Sequence, residues 1–556
     1  MSHPSTVEQR RDQMFPVLKP AEIDRLRRFG EVRRYGKGDY LAHAGEPALG
    51  LQIVLTGEVD VKAHDHPERS IVRYVPGSFL GELAQLSSGL AFVDAIALTE
   101  VEAILIPPPR LREAMVAEAE IGEHIMRALI LRRVNILEQK VGGPVIVGAA
   151  GNRDVLRLET FLNRNGHPHE RLDPLTDDTA KALLERFHIQ PAELPIVLCV
   201  TGQMLRNPSE NQLARCIGIN HALDTTHLYD VAVVGAGPAG LGTSVYAASE
   251  GLSVIAFDCR AFGGQAGASA RIENYLGFPT GIAGLPLMAR AFNQAQKFGV
   301  EMAIPEEVAS LKEERDGRRL TYRLQLHSKQ SIRARTVVIA SGAEYRRLDV
   351  SNLGDYEGAH VHYWASPLET KLCAGQEVAL VGAGNSAGQA AVYLASQAAK
   401  VWMIVRGKSI EATMSQYLCD RIAAQPNITV LTQSEVTRLE GDNGVLERVT
   451  WLEHQTGKET TRPIGHLFLL IGAAPNTKWL AASGITLDDK GFVKADAFSG
   501  DGRYPMQTNL PGVFAIGDVR SGSVKRVAAS VGEGAQVVAA IHACLAAQAT
   551  EETVNG

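Results

Sequence analysis

Twice in this chain an apolar strand runs into a glycine-rich turn and then a helix, and that repeat limits the possible folds more than any other feature. The first copy reads YDVAVVGAGPAGLGTSVYAASEGLSVIAFD and the second EVALVGAGNSAGQAAVYLASQAAKVWMIVRG. In the first, Gly235 permits a tight turn, Gly237 lets the backbone approach a pyrophosphate, and Gly240 lets helix and strand pack closely. Ala236, Pro238 and Ala239 complete the loop, and the helix N-terminus offers N–H groups and a dipole to phosphates. Asp258, 23 residues after Gly235, ends the following strand, where a carboxylate accepts hydrogen bonds from a ribose. Strand, helix and acid together predict a bound dinucleotide.

In the second copy Gly382, Gly384 and Ala387 take the three glycine positions, with Asn385 and Ser386 between them. Counting 23 residues on from Gly382 reaches Val405, followed by Arg406 and Lys408. Cations without a carboxylate suit a 2′-phosphate, so NADPH is expected over NADH. Two such loops imply two cofactors, a flavin and a nicotinamide. The run VVIASGA, with Gly342, suits close backbone approach where two domains join. The strand in GVFAIGDVRSG ends in Gly517 and Asp518, where an aspartate can hold the ribityl chain or pyrophosphate side of FAD.

From Tyr229 onward strands and helices alternate, the pattern of parallel sheets with crossover helices. The 556 residues suffice for three or four domains. Residues 1–140 show short strands broken by glycine, predicting a jelly-roll, and then one helical pattern, PRLREAMVAEAEIGEHIMRALILRRVNILEQK. Residues 143–220 read β-α-(β)-α-β-β-α, a small separate domain. A net charge of -6 gives no basic footprint, so nucleic acid is not expected as a partner. No apolar run reaches the roughly 18 residues of a membrane span, and MSHPSTVEQRRDQMF lacks a signal-peptide core. Cys199, Cys216, Cys259, Cys373, Cys419 and Cys544 are scattered without a CxxC, which fits a reducing cytoplasm and argues against a zinc cluster. The expectation is a cytoplasmic protein with no membrane and no metal.

The motifs GAGPAG, GGQ, IENYLGFP, ASGA, VGAGNSA, IGAAPNT and GVFAIGDVRSGSVKRVA together resemble the low-molecular-weight thioredoxin reductases, over about 226–556. The resemblance implies an FAD domain (226–343 and 475–556) interrupted by an NAD(P)H domain (344–474), joined by hinges near 343–346 and 472–476. It places Gly264, Gln265 and Asn274 at the flavin, and Asp518, Arg526, Val527 and Ala528 at its ribityl chain and ring. It also implies a homodimer. The family carries CATCD just before the second nucleotide strand, but here its cysteines fall on Ala365 and Leu368 and its acid on Glu369. Neither replacement forms a thiolate. The family's arginine pair after that strand is reduced to VRGK.

Residues 143–220 resemble a glutaredoxin- or thioredoxin-type fold without its CxxC, with Pro195 at the fold's cis-proline position. The N-terminal region is similar to cyclic-nucleotide-binding domains through YGKGDYLAHAGEPALGLQIVLTGEVDV and GSFLGELAQL. Alignment puts Ala91 where that family carries its phosphate arginine, with Asp94 just beyond and Glu82 able to take a ribose hydroxyl. Cyclic AMP is therefore not the expected ligand.

The expected activity is an FAD-dependent oxidoreductase that takes hydride from NADPH and passes electrons to a small redox protein or small-molecule acceptor without the usual dithiol. Glu369 is the candidate acid. One alternative is thioredoxin-type disulfide reduction through other cysteines, such as Cys199 or Cys216, or through a partner. Another is a sensor of flavin state or of an N-terminal ligand.

Overall fold

The computed structural model describes residues 11–553 apart from 65–67, 69, 82–88, 140–142, 191–192, 200–201, 220–222, 270–271, 273, 317–318, 358, 364, 366, 443 and 496–503. The N-terminal region forms two four-stranded antiparallel sheets. Val54, Val59, Val61, Ala95 and Ala103 bury their inward faces. The helical pattern after them breaks in two, Pro108–Ala117 and Ala119–Gln139. The break falls at Glu118, whose non-helical backbone is accompanied by a buried carboxylate that accepts from Arg28 at 2.6 Å and from Arg25. Periodicity could not show this, because both halves keep the same apolar spacing.

The small middle unit has the predicted order. Strand Val145–Val147 pairs in parallel with Glu170–Leu172 and antiparallel with Ile196–Leu198, which pairs with Met204–Arg206. Helices Arg153–Arg164, Asp178–Arg186 and Glu210–Cys216 accompany this sheet, each opened by a side-chain cap from Asn152, Asp177 or Ser209. The Leu194–Pro195 peptide is cis. Cys199 and Cys216 form a disulfide with a Cα–Cα distance of 5.6 Å. The scattered cysteines, without a CxxC, give no sign of which two would pair. A separation of 17 residues conceals that the end of one strand packs against the end of the last helix.

The third region contains two units whose sheets have parallel strands at their centre, the first extended antiparallel by Arg319–Leu326 and Val308–Asp316. In one, Leu228–Val234 lies between Val254–Phe257 and Ser331–Ile339, and Val513–Ala515 returns to pair with Ser331–Ile339. The chain thus leaves this sheet and comes back to it. In the other, Glu377–Val381 lies between Lys400–Val405 and Leu467–Leu469. Near-continuous Val, Ile, Leu and Ala in these strands reflects burial on both faces. Two short strands, Ala343–Tyr345 and Ala473–Pro475, pair antiparallel where the chain crosses between the units.

One helix among the described residues, Val527–Thr550, is long and apolar enough to cross a membrane. It supplies Val537, Val538, Ile541 and Leu545 to the core of the first unit and packs along Pro238–Ser249. Its apolar character therefore has a core-packing role, and Glu533, Gln536 and His542 interrupt its apolar run.

Candidate functional site

Both glycine-rich loops open on one cleft of about 2250 Å³. That is well above the roughly 300–1,000 Å³ of an ordinary small-molecule pocket. At its first end, Gly235 has φ +113, and a Cβ there would lie 2.2 Å from the carbonyl oxygen of Ala340. Gly240 packs still more tightly: a Cβ would stand 1.8 Å from the oxygen of Gly235. Gly237 differs, because the nearest protein atom to its Cβ position is the Cα of Gly264 at 3.8 Å. The loop is closed by the fold on one side and open to a ligand on the other. Gly384 repeats this in the second loop, with nothing within 4 Å. The space that side chains would fill has thus been kept clear at both loops, and the residues fit two dinucleotides.

Asp258 lines the first end. It also holds its own loop, accepting from the N–H groups of Ala236 at 3.1 Å, Arg260 at 3.2 Å and Ala261 at 3.3 Å. Burial pushes its carboxyl upward, opposed by these N–H donors and by Arg164. Asp518 lines the same end on the turn Gly517–Val519, also raised by burial, while Lys525 bonds its carbonyl at 2.8 Å. Glu533 secures that turn by accepting from the N–H of Gly517 at 2.6 Å and from Arg520 at 2.7 Å. Gln265 donates to the carbonyl of Ala343 at 2.7 Å, tying the GGQ turn to the first crossing strand. Pro238, Ala239, Gly264, Asn274, Gly342, Arg526 and Val527 also reach the cleft wall. Ala236, Gly240, Gly517 and Ala528 do not, and the first three are buried behind it.

At the second end Gly382, Gly384, Asn385, Ser386, Arg406 and Lys408 line the cleft, while Ala387 packs behind the loop with its Cβ facing Gly382. Arg421, from helix Gln416–Ala423, also lines the cleft. Sequence reasoning missed it because only packing brings that helix to the loop. Arg164 was missed for the same reason. It stands at the end of a middle-unit helix, reaches the cleft wall and donates to the carbonyl of Gly264 at 3.2 Å. Its neighbour Asn165 donates to the carbonyl of Arg260 at 3.1 Å.

Ala365 lies on the cleft wall and packs in the core of the second unit. Glu82, in the N-terminal region, lies outside the described residues. Glu369 is buried on helix Pro367–Leu372 and is not among the residues lining the cleft. Cys373 is fully buried, and burial pushes its thiol up to about 12, so it is inert at neutral pH. Of the described free cysteines only Cys259 is exposed. Ala91 is buried, and its backbone pairs with that of Gly45 and Glu46.

Two dinucleotide cradles on separate parallel sheets, facing one cleft and joined by a pair of crossing strands, define a two-nucleotide oxidoreductase. Residues 229–534 match the pyridine nucleotide-disulphide oxidoreductase family, and the chain belongs to it. Residues 32–118 match the cyclic nucleotide-binding domain family. Thioredoxin reductases from Listeria innocua and Bacillus subtilis are each 31% identical, covering 55% of this chain and 91% and 92% of their own lengths. The NADPH-dependent thioredoxin reductase 3 of Arabidopsis thaliana is 31% identical over 55% of this chain and 56% of its own. Among solved structures, T. acidophilum thioredoxin reductase matches with TM-score 0.51 and 28% identity over 57% of this chain and 98% of its own. That of Lactococcus lactis matches with TM-score 0.52 and 26% identity, over 57% and 99%. The chain is an oxidoreductase of the thioredoxin reductase type, whose cofactors are FAD and NADPH.

Proposed function

We propose that this protein takes hydride from NADPH into FAD and passes the electrons to an acceptor without a dithiol at 365–368. The observation that carries this reading is the single cleft with both cradles and Ala365 on its wall. Bound FAD would supply two-electron acceptance from a nicotinamide. The chain's own residues would do the positioning. Gly235, Gly237 and the helix after them would hold one pyrophosphate, with Asp258 at the ribose and Asp518 near the ribityl chain. Gly382, Gly384, Asn385 and Ser386 would hold the other, with Arg406, Lys408 and Arg421 at a 2′-phosphate. The paired strands Ala343–Tyr345 and Ala473–Pro475 would serve as the hinge between the FAD domain (226–343 and 475–556) and the NADPH domain (344–474). Glu369, buried off the cleft wall, is supported as a packing carboxylate; an acid role would require domain rotation to expose it.

Residues 1–140 are proposed as a jelly-roll, supported by their two antiparallel sheets, and residues 143–220 as a thioredoxin-type domain, supported by their strand order. A homodimer and a small redox protein or small-molecule acceptor belong to the same proposal. So does a cytoplasmic setting, against which the Cys199–Cys216 disulfide weighs.

That disulfide favours a second reading, in which it accepts the electrons. Its burial, at 5% and 4% exposure, requires the middle unit to open first. Anaerobic stopped-flow reduction by NADPH and by NADH tests the proposal, followed by reoxidation with a disulfide, a ferredoxin-type carrier, a quinone and oxygen. Fast bleaching by NADPH, with reoxidation by a non-disulfide acceptor, is expected. Reoxidation by disulfides alone would favour the second reading.

A further inference from the structure

The N-terminal sheets bring together three side chains that the redox chemistry does not use. Asp94 lies on strand Val93–Ala97, on the face opposite Ala95 and Ala97, which fill the core. His43 follows strand Tyr40–Ala42 and His64 follows Val59–Ala63. The Nδ1 of His43 lies 2.7 Å from one carboxylate oxygen of Asp94, and the Nδ1 of His64 lies 2.8 Å from the other. The carboxylate is anchored by the N–H of Ala44 at 2.9 Å and is itself buried, whereas the imidazoles are 38% and 43% exposed.

We propose that His43, His64 and Asp94 form a binding site for a divalent d-block cation such as Zn²⁺. Two imidazole nitrogens and one carboxylate are a donor set suited to such ions, while Mg²⁺ and Ca²⁺ prefer oxygen ligands throughout. The three ligand atoms already lie within 4.8 Å of one another. Tetrahedral ligation at about 2.0–2.2 Å sets ligand atoms about 3.3–3.6 Å apart, so the site closes when its widest pair draws in by somewhat over about 1 Å and the Nδ1–oxygen pairs at 2.7 and 2.8 Å open slightly. Each carboxylate oxygen faces one Nδ1, so an ion seated on the open side of the carboxylate is shared among all of them. Freeing each Nδ1 lone pair needs only transfer of the ring proton to Nε2, with no change of charge. Lys62 stands opposite Asp94 in the strand ladder but turns its ammonium to Asp60 at 3.7 Å, leaving the carboxylate to the histidines. The exposed imidazoles leave room for water or a further ligand on the ion.

Cysteine spacing is silent on such a site, whose ligands come from a strand and two strand ends 21 and 30 residues apart in sequence (43 to 64, 64 to 94). The test is isothermal titration of the full-length, flavin-loaded protein, dialysed against chelator, with Zn²⁺ and separately with Ca²⁺. One Zn²⁺ per chain and no Ca²⁺ uptake are expected. His43→Ala and His64→Ala should each weaken Zn²⁺ binding by about 100-fold or more, with unchanged circular dichroism and flavin absorbance. His124→Ala, on a remote helix, should bind as the parent does. Absence of stoichiometric Zn²⁺ uptake would leave a hydrogen-bonded His–Asp–His cluster only and overturn the proposal. Uptake of the same affinity in both variants would place the ion elsewhere and overturn it as well.

Discussion

Arg164 and Gly264 are joined by a hydrogen bond of 3.2 Å that runs from the middle unit to the wall of the nucleotide cleft. The arginine stands near enough to Asp258 to pull its carboxyl downward against burial. The middle unit, outside the matched family region, thereby adds a cation to the first cradle.

Arg164→Ala should weaken FAD binding about tenfold, or about 1.4 kcal/mol, in the range of a hydrogen bond to a charged group. Flavin fluorescence on dilution measures this. Unchanged retention would show that the contact only docks the two units.

The two glycines of the first loop should fail in different ways. Gly237→Val meets open space in the protein, so the chain should fold but purify without flavin. Gly240→Ala places a methyl against the carbonyl of Gly235, so folding itself should suffer. Soluble yield and the flavin-to-protein absorbance ratio separate the outcomes.

The unit that carries the second glycine-rich loop should lose stability in mild acid. His362 and His466 are buried with Nε2 and Nδ1 3.0 Å apart, and His362 stacks on Phe468. Burial and then the neighbouring imidazoles hold His362 well below its ordinary range, and bring His466 down to about 4. Both rings stay neutral in the folded state, while in the unfolded chain they protonate near pH 6.5. Stability is therefore fully present above about pH 6.5 and falls as pH drops toward about 4, by on the order of 3 kcal/mol for His466 alone. Thermal unfolding at pH 7.5 and pH 5 should show the decline, and His466→Gln should flatten it. A Tm independent of pH across that interval would contradict this account.

The Cys199–Cys216 link should stabilise the middle unit without carrying electrons. Replacing both with serine should cost about 3 kcal/mol, the size expected for a loop of this length. NADPH-driven reduction of a non-disulfide acceptor should persist in this variant and in one lacking all six cysteines. Loss of acceptor reduction with flavin reduction intact would restore a thiol route.

The glycine loops, Asp258 and the cations after Val405 were legible because the dinucleotide cradle is built from consecutive residues, with each spacing set by one strand, one turn and one helix. The places where the chain crosses between the two units were legible too, because the paired strands Ala343–Tyr345 and Ala473–Pro475 flank the matching motifs. Glu118 breaking its helix was not legible, nor were Arg164, Arg421, the Cys199–Cys216 disulfide and the His43–His64–Asp94 cluster. Each joins residues from separate elements, and nothing in local spacing records which helix end meets which loop. The apolar last helix shows the same limit, since its composition alone suits a membrane as well as a core. Sequence by itself determined which elements form and where the two glycine-rich turns fall, through short-range sterics and hydrogen bonding. Tertiary packing alone decided which distant side chains share a cavity, a sulfur bond or a cluster of ligands, because burial and charge act through space.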